Sequence, residues 1–171
     1  MNIILEGNEC NFKTTVANKL SESLKLPVVK GSSFENAKCS NIELYHHFLD
    51  LAKKNNVIID RSWISNRVYA TLYSDYAILT QEQREYIEKQ VENNTILVYL
   101  YADENVLKER IRERGDDYVD EKMLGKINRT YDEAMEGTRL HTIHFDTANN
   151  SSNQIAKTVS RIYRQLSEIY K

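Results

Sequence analysis

Apolar and polar positions alternate along this chain in two regimes. Short, nearly continuous apolar runs from Asn2 to Glu6, Pro27 to Lys30, Val57 to Asp60, Thr95 to Tyr101 and Thr142 to Asp146 have the length and β-branched content of buried strands. Between them lie longer stretches whose apolar residues recur every three to four positions. These are Thr14 to Lys25, Ile42 to Lys54, roughly Ser62 to Ser74, Gln81 to Glu92, Glu104 to Arg114, Glu121 to Glu136 and, last, Asn153 to Tyr170. Five strands alternating with helices predict an α/β fold: right-handed crossovers give a parallel sheet with helices on both faces. Ligands bind beyond the carboxyl ends of the strands in such sheets, so the residues after Glu6, Asp60 and Tyr101 carry the functional weight.

Composition narrows the picture. The 171 residues, 41% of them hydrophobic, suffice for one domain with a sizeable core, read here as spanning 1–171. A net charge of -2 offers no basic surface for duplex DNA or a membrane, so an anionic ligand must be gripped locally and nucleic acid is not an expected partner. Cys10 and Cys39 lack the spacing of a disulfide framework or zinc site, and the first apolar run is far too short for a signal peptide or a span. A cytoplasmic protein is expected.

The first strand runs directly into Gly7-Asn8-Glu9-Cys10-Asn11-Phe12-Lys13-Thr14-Thr15, with a helix starting near Thr14. That strand, loop and helix context suits a phosphate cradle. Backbone N–H groups and a helix N-terminus meet the anion, Lys13 reaches its β and γ phosphates, and the Thr14 hydroxyl serves Mg²⁺. Phe12 stands where the pattern G-x-x-x-x-G-K-S/T has its second glycine. Its ring either crowds the phosphates or points away, according to the backbone dihedrals.

The third strand ends in Asp60-Arg61, charges that packing alone does not require and that must be paired or meet a ligand. Here the chain resembles two related families of P-loop kinases. Leu5-Glu6-Gly7-Asn8 with Lys13-Thr14-Thr15 resembles the Glu-Gly-Asn opening of deoxynucleoside kinases and the Glu-Gly opening of thymidylate kinases. Asp60-Arg61 with Ser65 and Tyr69 is similar to the thymidylate-kinase pattern D-R-x-x-x-S-x-x-A-Y, with Val68 for the alanine. Arg61-Ser62, Ser65 and Arg67 equally resemble the nucleoside-kinase pattern E-R-S-x-x-S-x-R, with Asp60 for the glutamate. Both families stay open on this segment.

After the fourth strand, Arg110 and Arg114 share one helical flank, four residues apart, ahead of Gly115-Asp116-Asp117. Arg110-Ile111 and Arg114-Gly115 resemble the R-I-x-x-R-G stretch that leads into the lid of nucleoside kinases. The resemblance implies a lid near 112–120 whose arginines neutralise the transferred phosphoryl group.

The resemblance as a whole implies the P-loop kinase fold, ATP and Mg²⁺ as cofactors, and a nucleoside monophosphate or deoxynucleoside as acceptor, and it leaves room for a homodimer. On it, Gly7, Asn8, Asn11, Phe12, Lys13, Thr14 and Thr15 hold the nucleotide, and Thr14 and Asp60 hold the metal. Lys13, Asp60, Arg61, Arg110 and Arg114 are catalytic, while Glu35, Arg61, Ser65 and Tyr69 meet the acceptor. The pattern breaks after the second strand. Val28-Val29-Lys30-Gly31-Ser32-Ser33-Phe34-Glu35 has neither the acidic-Pro-Gly segment of thymidylate kinases nor the Glu-Pro of nucleoside kinases, which leaves Asp60 first and Glu35 second for the acid that orients the acceptor oxygen. Two rival readings are a nucleotide-binding module in which Phe12 has ended turnover, and a kinase acting on a modified base or an end of DNA.

Overall fold

The computed structural model describes residues 1–32, 38–114 and 120–169. Its elements follow the apolar pattern closely: β1 (Asn2–Glu6), α1 (Lys13–Leu24), β2 (Val28–Lys30), α2 (Asn41–Ala52), β3 (Ile58–Asp60), α3 (Trp63–Leu72), α4 (Gln81–Val91), β4 (Thr95–Tyr101), α5 (Glu104–Arg114), α6 (Leu124–Glu136), β5 (His141–Asp146) and α7 (Ser152–Ile169). The expected helix from Glu121 to Glu136 divides: a 3-10 turn over Glu121–Met123, opened by the Asp120 side chain accepting from Lys122 N–H, precedes α6. The chain shares the P-loop kinase fold.

The sheet is parallel throughout, in the order β2-β3-β1-β4-β5. β1 lies at its centre, and every residue of it is buried. The alternation of a strand splits that burial between two cores. Ile4 faces Phe48, Trp63, Ile87 and Tyr131 beneath α2, α3, α4 and α6, whereas Ile3 and Leu5 face Val16, Leu20, Ile155 and Val159 beneath α1 and α7. A smaller cluster, Ala102, Leu107, Ile111 and Leu124, seats α5 against the start of α6.

Helix starts differ in a way that bears on function. Ser40 with Glu43 and Thr80 with Gln83 form reciprocal capping boxes on α2 and α4. α1 has no side-chain cap at all. Its first N–H groups face the cleft at the end of β1, the arrangement that attracts an anion. Among the described residues, no helix is long and apolar enough to cross a membrane.

Candidate active site

The loop from Gly7 to Phe12 is bent by three residues with positive φ. Gly7 sits at 143°, and a Cβ there would lie 2.0 Å from the Leu100 carbonyl oxygen, so the position admits glycine alone. Cys10 at 57° and Phe12 at 62° are left-handed non-glycine residues, which store strain beside the site. The loop is then fastened from within. Asn8, buried, donates to Leu124 O (3.1 Å) and Asn128 Oδ1 (2.9 Å) on α6, and Asn128 donates to Ala102 O (3.0 Å). Asn11 accepts at Oδ1 from the Thr147 hydroxyl at 2.8 Å. The side chains of Asn8 and Asn11, expected at the nucleotide, are thus bonded within the protein and shape the loop, and Asn11 also lines the cleft.

Lys13 lies at the base of that cleft and donates to Asn8 O at 2.6 Å. Burial, reinforced by the nearby Arg61 guanidinium, lowers its pKa to about 8 against the opposing pull of Glu9, Asp60 and Glu6. The cradle holds an ammonium short of counter-charge, which is what a polyphosphate supplies. Thr14 and Thr15 stand exposed on the first turn of α1.

Arg61 follows β3 in a left-handed conformation (φ 65°) that aims its side chain back at the cradle. It donates to Gly7 O (3.3 Å) and Tyr131 OH (3.0 Å) and pairs with Glu9. Glu9 carried no weight in the sequence reading. Burial raises the pKa of its carboxyl, yet Lys13, Arg61 and Arg114 together outweigh burial and hold it below the usual range, so it is ionised. Tyr69 lies with its ring 5.6 Å from the Arg61 guanidinium carbon, and burial pushes its phenol up to about 12.

Ser65, expected to meet the acceptor, lines the second of the two cavities described below, and its hydroxyl donates to the Glu6 carboxylate and lies 2.8 Å from Tyr131 OH. Glu6, fully buried at the end of β1, also accepts from Ser62 N–H and Ser62 Oγ, both at 2.7 Å. A buried carboxylate demands such donors, and the start of α3 supplies them. Burial raises the Glu6 pKa, against the opposing effect of these donors. Glu6 therefore anchors the turn that presents Asp60 and Arg61. Its signal in sequence was a lone acid closing an apolar run.

Arg110 lines the cleft and is also bonded within the protein. Its Nη1 donates to Cys10 O (3.1 Å) and Thr147 Oγ1 (2.8 Å), its Nη2 donates to Thr147 O (2.8 Å), and its guanidinium carbon lies 4.4 Å from the centre of the Phe12 ring. These bonds fasten Arg110 to the loop and to Thr147 while it lines the cleft. Phe12 accordingly points away from Lys13, towards α5. Arg114, one turn beyond Arg110, faces the cleft with Glu113. Glu35 and residues 115–119 of the lid expected near 112–120 lie outside the described residues, while 112–114 belong to α5.

Two cavities open at the carboxyl ends of the strands. A cleft of about 750 Å³ surrounds Lys13, Thr14, Thr15, Arg110 and Arg114. A second cavity of about 280 Å³ is walled by Tyr69, Tyr76, Lys30 and Asn66. Glu9, Thr14, Asp60 and Arg61 line both. In the second cavity, Asn66 is 4% exposed and gives its amide N–H to Ala77 O (3.0 Å), and its Oδ1 has no hydrogen-bond partner among the described residues.

Comparison with known proteins decides between the two resemblances. The family model for deoxynucleoside kinases matches residues 33–170. The chain belongs to the deoxynucleoside kinase family. The prophage-derived YorR protein of Bacillus subtilis strain 168 is 50% identical over 157 residues, 92% of this chain and 95% of that protein. The crystal structure of YorR in complex with phosphorylated GDP superposes with a TM-score of 0.92 at 48% identity, covering 96% of each chain. More distantly, deoxyadenosine kinase from M. mycoides with bound dCTP matches at a TM-score of 0.62 and 18% identity over 95% of this chain and 98% of that one, a likeness of fold alone. Shikimate kinase from Acinetobacter baumannii shares the fold likewise, at 0.63 and 16% over 96% and 93%. The family assignment makes the chain kinase-like and nucleotide-binding in kind.

Proposed function

We propose that this chain transfers the γ-phosphate of ATP to a nucleoside or nucleotide, with guanine compounds foremost among acceptors. One observation carries the proposal: the phosphate cleft and the aromatic-walled cavity meet at Glu9, Thr14, Asp60 and Arg61. A donor phosphate in one and an acceptor oxygen in the other would face each other across these four side chains, and such in-line placement is most of what phosphoryl transfer needs.

Lys13 and the uncapped start of α1 hold the β and γ phosphates. Arg61 and Arg114 set positive charge beside the moving group, where negative charge spreads over its oxygens. The Thr14 hydroxyl and Asp60 carboxylate are hard oxygen donors on both cavities, and they fit Mg²⁺, which keeps several waters and takes few protein ligands. Bound there, Mg²⁺ would supply the charge neutralisation that lets the phosphates approach an acceptor. Glu9 and Asp60 border the acceptor oxygen and orient it. Tyr69 and Tyr76 offer ring faces to a base, and the unpartnered Asn66 Oδ1 accepts from a ring N–H. The guanine preference takes its support from the nucleotide bound to YorR.

The test is a radiolabelled ATP screen across nucleosides, their monophosphates and short oligonucleotides. Mg²⁺-dependent label on a nucleoside or mononucleotide, guanine first, is expected. ATP binding without transfer to any acceptor would favour a non-catalytic module, and label on oligonucleotides alone would favour a DNA kinase.

A further inference from the structure

The residue in place of the second cradle glycine has a definite partner. Phe12 keeps the left-handed φ of 62° that a glycine would adopt freely, and its half-buried ring lies under Arg110, with the ring centre 4.4 Å from the guanidinium carbon. Arg110 is held on its edges as well: by Cys10 O from the same loop and by Thr147 from the segment after β5. Thr147 in turn donates to Asn11, the residue after Cys10 in the loop. Ring below and acceptors at the rim fix the position and tilt of a guanidinium on α5. Arg114 lies four residues on, one turn along the same flank, and faces the cleft.

We propose that Phe12 is a positioning residue: by stacking under Arg110 it fastens α5 to the phosphate-binding loop, so that Arg114 is presented to the transferred phosphoryl group. This rests on the phosphotransfer reading above. A cation over a ring face is attracted most when desolvated, and burial of Arg110 lowers its pKa, which marks partial desolvation of this pair. Glycine at position 12 would ease the loop backbone but remove the ring, leaving α5 tied to the loop through the rim of Arg110 and the packing of Cys10 near Leu107 and Ile111. The cradle would still bind nucleotide, and the arginine that acts only during transfer would be displaced.

The experiment uses the full chain with Phe12→Gly, Phe12→Tyr, Arg110→Ala and the Phe12→Gly/Arg110→Ala double variant. Three readouts apply: thermal melts without ligand, ADP affinity by calorimetry, and single-turnover transfer from ATP to the acceptor that the screen identifies. Phe12→Gly should hold ADP affinity within about threefold while slowing transfer at least about tenfold, and Phe12→Tyr, which keeps the ring, should restore the rate. In the melts, the double variant should lose clearly less than the summed losses of the single ones, as expected for one shared contact. Additive melting losses, or wild-type transfer by Phe12→Gly, would overturn the proposal. A tenfold loss of ADP affinity with an unchanged transfer rate would also overturn it, assigning the ring to the nucleotide itself. If no acceptor is phosphorylated, the functional reading fails separately, and the melting cycle still decides the Phe12–Arg110 contact.

Discussion

Lys13 makes nucleotide binding sensitive to pH in a direction that can be worked out. Lys13 is 7% exposed, and burial followed by Arg61 brings its pKa from the ordinary 10.5 to about 8. At about 1.4 kcal/mol per factor of ten, keeping the proton costs the free protein about 3 kcal/mol relative to a lysine in water. Phosphates in the cradle bring opposite charge and raise that pKa again. Below pH 8 the ammonium is charged whether nucleotide is present or not, and affinity is flat. Above pH 8 binding must take up a proton, so at pH 9, with about one free molecule in ten protonated, Kd should be about tenfold higher than at pH 7. Fold stability should move the other way. The unfolded lysine keeps its proton up to 10.5, the unfolded state binds more protons between pH 8 and 10.5, and this group's contribution to apoprotein stability rises with pH across that window. Calorimetric titration with ADP at pH 7, 8 and 9, with chemical denaturation alongside, checks both trends, and Lys13→Met should bind weakly and lose both steps. Equal ADP affinity at pH 7 and 9 in the wild type would refute the argument.

Glu6→Gln replaces a carboxylate that faces only donors with an amide whose N–H meets one of them, and should cost about 1–3 kcal/mol; an unchanged melting temperature would show that the anchor is dispensable. Arg114→Ala should lower kcat at least about tenfold while changing ADP affinity less, and steady-state kinetics with normal kcat would remove Arg114 from the site. At Gly31, a Cβ would lie 2.1 Å from the Arg61 carbonyl oxygen, so Gly31→Ala should shift the Asp60–Arg61 turn and destabilise the fold by about 2 kcal/mol or more in urea denaturation. Full stability in that variant would mean that the turn yields without cost.

What the sequence disclosed and what it withheld follow from the range of the forces involved. β1 and β4 end where the apolar pattern ends, and most helix termini fall within a residue or two of the periodic runs, because burial on a pleat or a helical stripe is a local constraint. The strand order is not local, and neither are the contacts that give polar side chains their roles. Ser65 was placed at the acceptor by its spacing from Arg61, and it lines the second cavity, but no sign in the sequence told that the buried Glu6, distant in the chain, takes its hydroxyl. Arg110 was grouped with Arg114 by helical phase; Thr147, which claims it, is distant in sequence. Phe12 was undecided on paper since the dihedrals that direct its ring follow from the folded loop. Glu9 gave no signal, and its importance comes from facing Arg61.

The position of β1 also governs when the site can exist. This strand is made before β3 and β4, yet in the finished sheet it is flanked by β3 on one side and β4 on the other, with Leu5 opposite both Asp60 and Val98. Gly7 takes its shape against Leu100, and the loop is latched by Asn128 and Thr147, all of which emerge from synthesis long after it. A nascent chain therefore carries the letters of a phosphate-binding loop well before it carries the loop. Nucleotide can reward only the completed sheet, so it stabilises finished molecules and gives no foothold to partial ones.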